Sequence, residues 1–140
     1  APSAVNYTFS RRHCHSDLVL SNEDHTMLRN TSAPYRSACT EPFLQAGTVG
    51  VIRFQVDSTH GTNLGLGVCD PLRYTQGIST QEYEVLSRGK NSRFKTGDII
   101  QVTADRQRHT LSFHDESSGE EWTIDGLHDD GMLAFYARTG

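Results

Sequence analysis

The residues of this chain best equipped for chemistry are its histidines, cysteines and clustered carboxylates. His13-Cys14-His15 is the densest group of potential zinc ligands, because imidazole nitrogen and thiolate sulfur both suit that ion. Zinc ligands are usually spaced by about two to four residues and several donors must converge, whereas adjacent side chains on an extended backbone diverge. The tripeptide therefore reads as a polar turn ahead of a strand, and no metal is assigned to it. His114-Asp115 and His128-Asp129-Asp130 place imidazole beside carboxylate, the raw material of an acid–base pair. Neither comes with an activated nucleophile: there is no Gly-x-Ser-x-Gly turn, no phosphate-binding loop and no His-Glu-x-x-His. The expectation is a non-enzyme with no catalytic residues and no cofactor.

Side chains suited to recognition are better represented. Arginine offers a planar fork of donors for peptide carbonyls and carboxylates, and tyrosine a rigid apolar face with a polar tip, which is why both are enriched at interface hot spots. Tyr74 lies in Asp70-Pro-Leu-Arg-Tyr-Thr-Gln-Gly77 with Leu72 and Arg73 beside it, and Arg29 closes a strand-like run. Pro34, Tyr35 and Arg36 fall in an irregular stretch that follows. Trp122 alternates with Ile124 and reads as core.

The elements that must position these residues are strands. Gly50-Val-Ile-Arg-Phe-Gln-Val-Asp57 alternates, with Ile52, Phe54 and Val56 on one face, and Leu64-Gly-Leu-Gly-Val-Cys69 puts Leu64, Leu66 and Val68 opposite a bare glycine face that a bulky side chain or a backbone can approach. The turn-rich Ser58 to Asn63 between them predicts that these two pair as a hairpin. A second hairpin is predicted from Asp98–Asp105, with Ile100, Val102 and Ala104 inward, into Thr110–His114. The Gly97-Asp98 pair reads as a structural turn opening that strand. Asn6–Phe9, Asp17–Ser21, Thr26–Arg29, Tyr83–Leu86, Glu121–Ile124 and Met132–Ala137 bring the set to roughly nine short strands, and no amphipathic helix competes with them. The irregular stretches are Asn30 to Ala46 and Pro71 to Gln81. Two antiparallel sheets packed face to face is the architecture that buries one face of each strand.

Composition narrows the partners. The 140 residues carry 35% hydrophobic residues and a net charge of −4, enough for one domain, 1–140, and too acidic to suggest nucleic acid. Charge is lopsided: Arg88, Lys90, Arg93 and Lys95 cluster, while Asp115, Glu116, Glu120, Glu121, Asp125, Asp129 and Asp130 fall in a stretch without a cation. That pattern reads as solvated surface or as a basic rim able to steer an acidic peptide. Cys14, Cys39 and Cys69 are too few and too scattered for a disulfide framework, so an intracellular, cytoplasmic setting is expected. Asn30-Thr31-Ser32 fits a glycosylation sequon but conflicts with that setting. No segment is long and apolar enough to span a membrane. A chain opening at Ala1 and closing at Gly140 reads as a domain excised from a longer protein.

The order of these motifs is informative. Asp17-Leu-Val-Leu-Ser-Asn-Glu-Asp24 with Arg29, the strand 51–56, Leu-Gly-Leu-Gly-Val-Cys69, and Phe94-Lys-Thr-Gly-Asp-Ile-Ile-Gln-Val-Thr-Ala-Asp105 with Thr110-Leu-Ser-Phe113 together resemble the SPRY domain of the B30.2/SPRY family, from Asp17 to Gly140. Phe9 with His13, Leu18-Val-Leu-Ser21, Thr26 and Arg29, Val68-Cys-Asp-Pro71 and Leu133-Ala-Phe-Tyr136 with Gly140 also resemble the related Neuralized homology repeat. Either resemblance implies an all-β, concanavalin-like jelly-roll sandwich that binds a short peptide or protein surface through loops at one end and does not catalyse. It also implies a role in substrate recognition for a ubiquitin ligase or signalling protein. It carries over a binding role to Arg29 and Tyr74, and more loosely to Arg138, Thr139 and Gly140 as a last platform loop. Two further readings remain from the residues alone. One is a lectin-like sandwich, since Asn63, Asp70 and Trp122 are residue types that sugars use, and the other is a hydrolase built around His114 or His128.

Overall fold

A strand that buries one face hides every second residue, and Ile99–Asp105 does so along its whole length. In the computed structural model of the chain, residues 6–16, 18–29, 36–56, 64–71, 83–87, 97–127 and 131–139 are described. Among them the elements are all strands: β1 (Thr8–Cys14), β2 (Leu18–Ser21), β3 (Thr26–Arg29), β4 (Arg36–Glu41), β5 (Val49–Gln55), β6 (Leu64–Cys69), β7 (Tyr83–Ser87), β8 (Ile99–Asp105), β9 (Thr110–Asp115), β10 (Glu121–Asp125) and β11 (Ala134–Thr139). All pair antiparallel, in a five-stranded sheet ordered β1-β4-β11-β6-β7, a four-stranded sheet ordered β10-β9-β8-β5, and the β2–β3 hairpin.

The core lies between the two larger sheets. Leu66, Val68, Phe135 and Ala137 enter it from the five-stranded sheet, and Ile100, Val102, Ala104, Leu111 and Phe113 from the four-stranded one. Trp122 and Ile124 of β10 pack against the same cluster, as their alternation predicts, and Leu18, Leu20 and Met27 close it from the hairpin. Each buried Val, Leu, Ile or Phe side chain contributes about 1.5–3 kcal/mol by leaving water, and the alanines less.

Both chain crossings at one end of the sandwich are held by Arg106. Its side chain is 0% exposed, and Nη1 donates to the carbonyls of Leu44 and Gly131, each at 2.8 Å, while its own N–H bonds Thr48 O at 3.0 Å. The turn that presents it is fixed locally, because Asp105 Oδ1 accepts the N–H groups of Gln107 and Arg108 and His109 takes a left-handed φ of 59°.

The β8–β9 hairpin forms as the sequence predicts. The hairpin predicted between strands 50–57 and 64–69 does not: β5 pairs with β8, and β6 pairs with β11 and β7 in the opposite sheet. Both strands bury their apolar alternates in the same core from opposite sides, so the pattern fits face-to-face packing as well as pairing. The stretch from Asn30 to Ala46 is also not wholly irregular. It contains β4, whose Arg-Ser-Ala-Cys-Thr-Glu lacks apolar alternation because it lies between β1 and β11 with small residues buried on both faces. His13 and Cys14 belong to β1 rather than to a turn before a strand.

Gly50 is needed for close packing. A Cβ there would collide with Leu44 Cδ2 and lie 3.0 Å from the Tyr7 hydroxyl oxygen and 3.4 Å from Phe135 Cε2. Gly50→Ala should therefore lower the unfolding free energy by about 1–3 kcal/mol, the usual cost of overpacking. A urea melt unchanged from the parent chain would show that this junction has room.

Candidate functional site

Of the residues expected to bind a partner, Arg36 and Thr139 lie at one end of the five-stranded sheet, and Arg29 ends the neighbouring hairpin. β3 closes at Arg29, opposite Leu18, and β4 opens at Arg36. Thr139 at the end of β11 is in register with both Arg36 and Leu64, and Leu64 with Ser87. Arg36, Thr139, Leu64 and Ser87 therefore form one row across four strands. Segments 30–35, 57–63 and 88–96 join the sheet at this row, so Tyr35 and the cationic Arg88, Lys90, Arg93 and Lys95 belong to segments anchored here. Tyr35, like Leu72, Arg73 and Tyr74, lies outside the described residues. The segment that carries the last three leaves β6 at the opposite end of the sheet, beyond Cys69 and Pro71, and returns to β7 at Tyr83.

Between the two ends lies the sheet face turned away from the main core. Alternation along β11 sends Phe135 and Ala137 into that core and Ala134, Tyr136 and Arg138 to this outer face. Tyr136 is in register with Gly67 and Arg138 with Gly65, so the bare glycine face read from the sequence is where these two large side chains lie. Arg138 was expected in a terminal loop. It is a strand residue with only 3% of its surface exposed, and Thr139 is the last residue of the same strand. Ser37, Cys39 and Tyr136 are buried on the same face. Sequence reasoning detected the glycines but not the residues opposite them, because the pairing of β6 with β11 joins segments far apart in the chain.

This outer face holds a thiol pair. Cys39 and Cys69 are both reduced, with Sγ atoms 3.3 Å apart, and pack with Ala134, Tyr136 and Phe43. The hydrogen bond to Cys69, reinforced by burial, pushes the Cys39 thiol up. Burial also raises Cys14 and Tyr7.

The histidine clusters resolve into separate structural roles. His13 meets the Phe43 ring edge-on at 5.5 Å and Ser10 Oγ at 3.3 Å, while Cys14 packs on the core and its thiol points to His15 O. His114 Nδ1 lies 3.2 Å from Glu121 Oε1 on the neighbouring strand, whereas Asp115 turns away and accepts the N–H groups of Ser117 and Ser118. His114-Asp115 is therefore not a dyad, and His128 lies outside the described residues. No group of three or more metal-binding side chains occurs among the described residues. The described residues contain no helix long and apolar enough to cross a membrane, their elements being all strands.

Solved structures of similar shape can be set against this arrangement. A TRIM65 PSpry domain superposes with a TM-score of 0.68 at 15% identity, over 99% of this chain and 94% of that one. This is the SPRY-type β-sandwich. The NHR1 domain of Drosophila melanogaster Neuralized matches with a TM-score of 0.65 at 10% identity, over 94% and 90% of the two chains. Stonustoxin matches with a TM-score of 0.67 at 14% identity over 95% of this chain, which spans 25% of the toxin chain. No protein-family model matches the sequence, and no curated protein matches it either. At these identities what the SPRY-like chain shares with its neighbours is the fold.

The thiols give a direct check on the outer face. With its pKa raised in the fold, Cys39 holds its proton more tightly in the native than in the unfolded chain. Stability is therefore fully present below the ordinary thiol pKa of about 8.5 and lost as pH rises above it, with Cys14 and Tyr7 acting in the same direction. Urea melts under reductant should give a lower midpoint at about pH 9.5 than at about pH 7. A disulfide reagent should label Cys39 only as the chain unfolds, and labelling of all three cysteines at equal speed in the native chain would contradict the packing.

Proposed function

We propose that this SPRY-like domain is a non-catalytic recognition module that binds a short peptide or protein surface at the Arg29–Arg36–Thr139 end of its five-stranded sheet. The observation that carries the reading is the row Arg36–Thr139–Leu64–Ser87, fixed in register across four strands, at which the segment from Arg29 to Arg36 and the cationic segment 88–96 join the sheet. A rigid platform lowers the entropy lost on binding, and arginine suits peptide carbonyls and carboxylates. Leu72, Arg73 and Tyr74, which lie outside the described residues, are assigned to the same partner on their side-chain chemistry.

Charge supports a polar, directional partner. The cationic segment 88–96 joins the five-stranded sheet at this end, and the turn after β9 brings Glu116 to the corresponding end of the four-stranded sheet, where it pairs with Arg53. An acidic segment of the partner would lie along the basic side. In this reading the module is cytoplasmic and serves as the substrate-recognition part of a ubiquitin ligase or signalling protein, and the shared SPRY-type fold is consistent with an interaction domain.

Affinity capture with the isolated domain tests this. Arg29→Ala and Tyr74→Ala should fold normally and each weaken binding of the captured partner by about 1 kcal/mol or more, roughly five-fold or greater. Arg36→Ala and Thr139→Ala should act in the same direction. Full binding by all four variants would remove the proposed site.

A further inference from the structure

The geometry points to the free edge of β5 as a pairing site for a second copy of this chain, forming one continuous antiparallel sheet across a two-fold axis. β5 is the outermost strand of the four-stranded sheet among the described residues. Its pairing with β8 runs unbroken from Val49–Asp105 to Gln55–Ile99, with no bulge. Arg106 N–H bonds Thr48 O and Val56 N–H bonds Asp98 O at the two ends of that register. Bonded and non-bonded positions alternate along an antiparallel pair, so Gly50, Ile52 and Phe54 also turn their backbone groups to β8. Val49, Val51, Arg53 and Gln55 turn theirs outward.

Sheet edges are ordinarily defended by charge, bulges or a covering element, because unpaired N–H and C=O groups template further pairing. The other edges with described side chains follow that rule. β1 carries exposed Arg11 and Arg12, has a register irregularity between Phe9 and Cys14, and is covered where Phe9 N–H bonds Asp24 O in the β2–β3 turn. β10 exposes Glu121 and Asp125. Among the described residues β5 has none of these devices. It is seven residues long, contains no proline, and its outward side chains include Val49 and Val51, 50% and 44% exposed, two of the three large hydrophobic residues exposed among those described. Its single charge, Arg53, is already matched by Glu116 at 2.8 Å.

A neutral edge of this kind has nothing to select a foreign strand by charge, and an antiparallel partner related by a two-fold axis is supplied by the chain itself. Pairing Ile52 with Ile52 of the second copy sets Val51 opposite Arg53 and Val49 opposite Gln55, so every outward backbone group of Val49 through Gln55 finds a partner, and the valines lie against the aliphatic stems of Arg53 and Gln55. A single pair of strands buries less than the roughly 800 Å² per partner of a standard stable interface, which makes the association weak and reversible.

Sedimentation equilibrium from micromolar to millimolar chain, combined with amide exchange, tests this. The expected result is a reversible monomer–dimer equilibrium in which the amides of Val49, Val51, Arg53 and Gln55 become protected as concentration rises. Val51→Lys, on an exposed position, should weaken dimerisation at least ten-fold with an unchanged thermal melt, and Val51→Thr should retain it. A monomer at every concentration with those amides exchanging freely would overturn the proposal. So would a dimer indifferent to Val51→Lys. Protection of the same amides only on adding an extended partner peptide would also overturn it, assigning the edge to a foreign strand.

Discussion

Arg106 is the interaction on which the rest of this sandwich depends. The chain passes between the sheets through segment 42–48 and again through 126–133, and Arg106 donates to a carbonyl in each. Burying a cation is costly unless its donors are matched, and the compensation here is structural. Leu44 and Leu133 exchange backbone hydrogen bonds at 2.6 and 3.2 Å beside it, which sets where β11 starts. Once that start is fixed, the register of β11 against β4 and β6 follows along its length. Tyr136 and Arg138 then meet Gly67 and Gly65, and Thr139 arrives beside Arg36.

The two ends of the sandwich consequently differ in kind. At the Arg106 end, buried hydrogen bonds tie consecutive crossings together, and Gly50 packs under Leu44 and Tyr7 with no space for a methyl group. At the other end strands terminate in register and the connections leave it side by side. The register set from the Arg106 end fixes where Arg36 and Thr139 stand in the sheet, the kind of preorganisation that the proposed recognition would need.

Much of this was legible in the sequence where the signal is local. Alternation over Asp98–Asp105 and Thr110–His114 gave a hairpin that forms as read, and the inward set Ile100, Val102 and Ala104 is fully buried. Signals that depend on pairing across distance were not legible. Ile52 and Phe54 alternate as Leu66 and Val68 do, yet the two strands face one another instead of pairing. β4 has no periodic signal because it lies inside the sheet between β1 and β11 and its small residues Ser37, Ala38, Cys39 and Thr40 are buried on both faces. Of the candidate site, Arg29 and Arg36 are the terminal residues of strands in different sheets, while Arg138 lies within β11 opposite the bare glycine face. Its burial follows from a register that no residue near Arg138 encodes.

The acidic bias of the chain also changes meaning once its carboxylates are placed. Asp115 holds the turn after β9 through the N–H groups of Ser117 and Ser118, Glu121 lies across from His114, and Asp105 shapes the turn that presents Arg106. Glu116 reaches Arg53 from that same turn. These four carboxylates therefore set turns and cross-strand contacts besides contributing to the long-range field. The Glu116 contact has a wider effect, because Arg53 is the only charge on β5 that would keep a neighbouring strand away by repulsion. An edge whose cation is neutralised from within its own sheet repels other strands weakly, so the same ion pair that orders the end of β9 leaves β5 open to pairing.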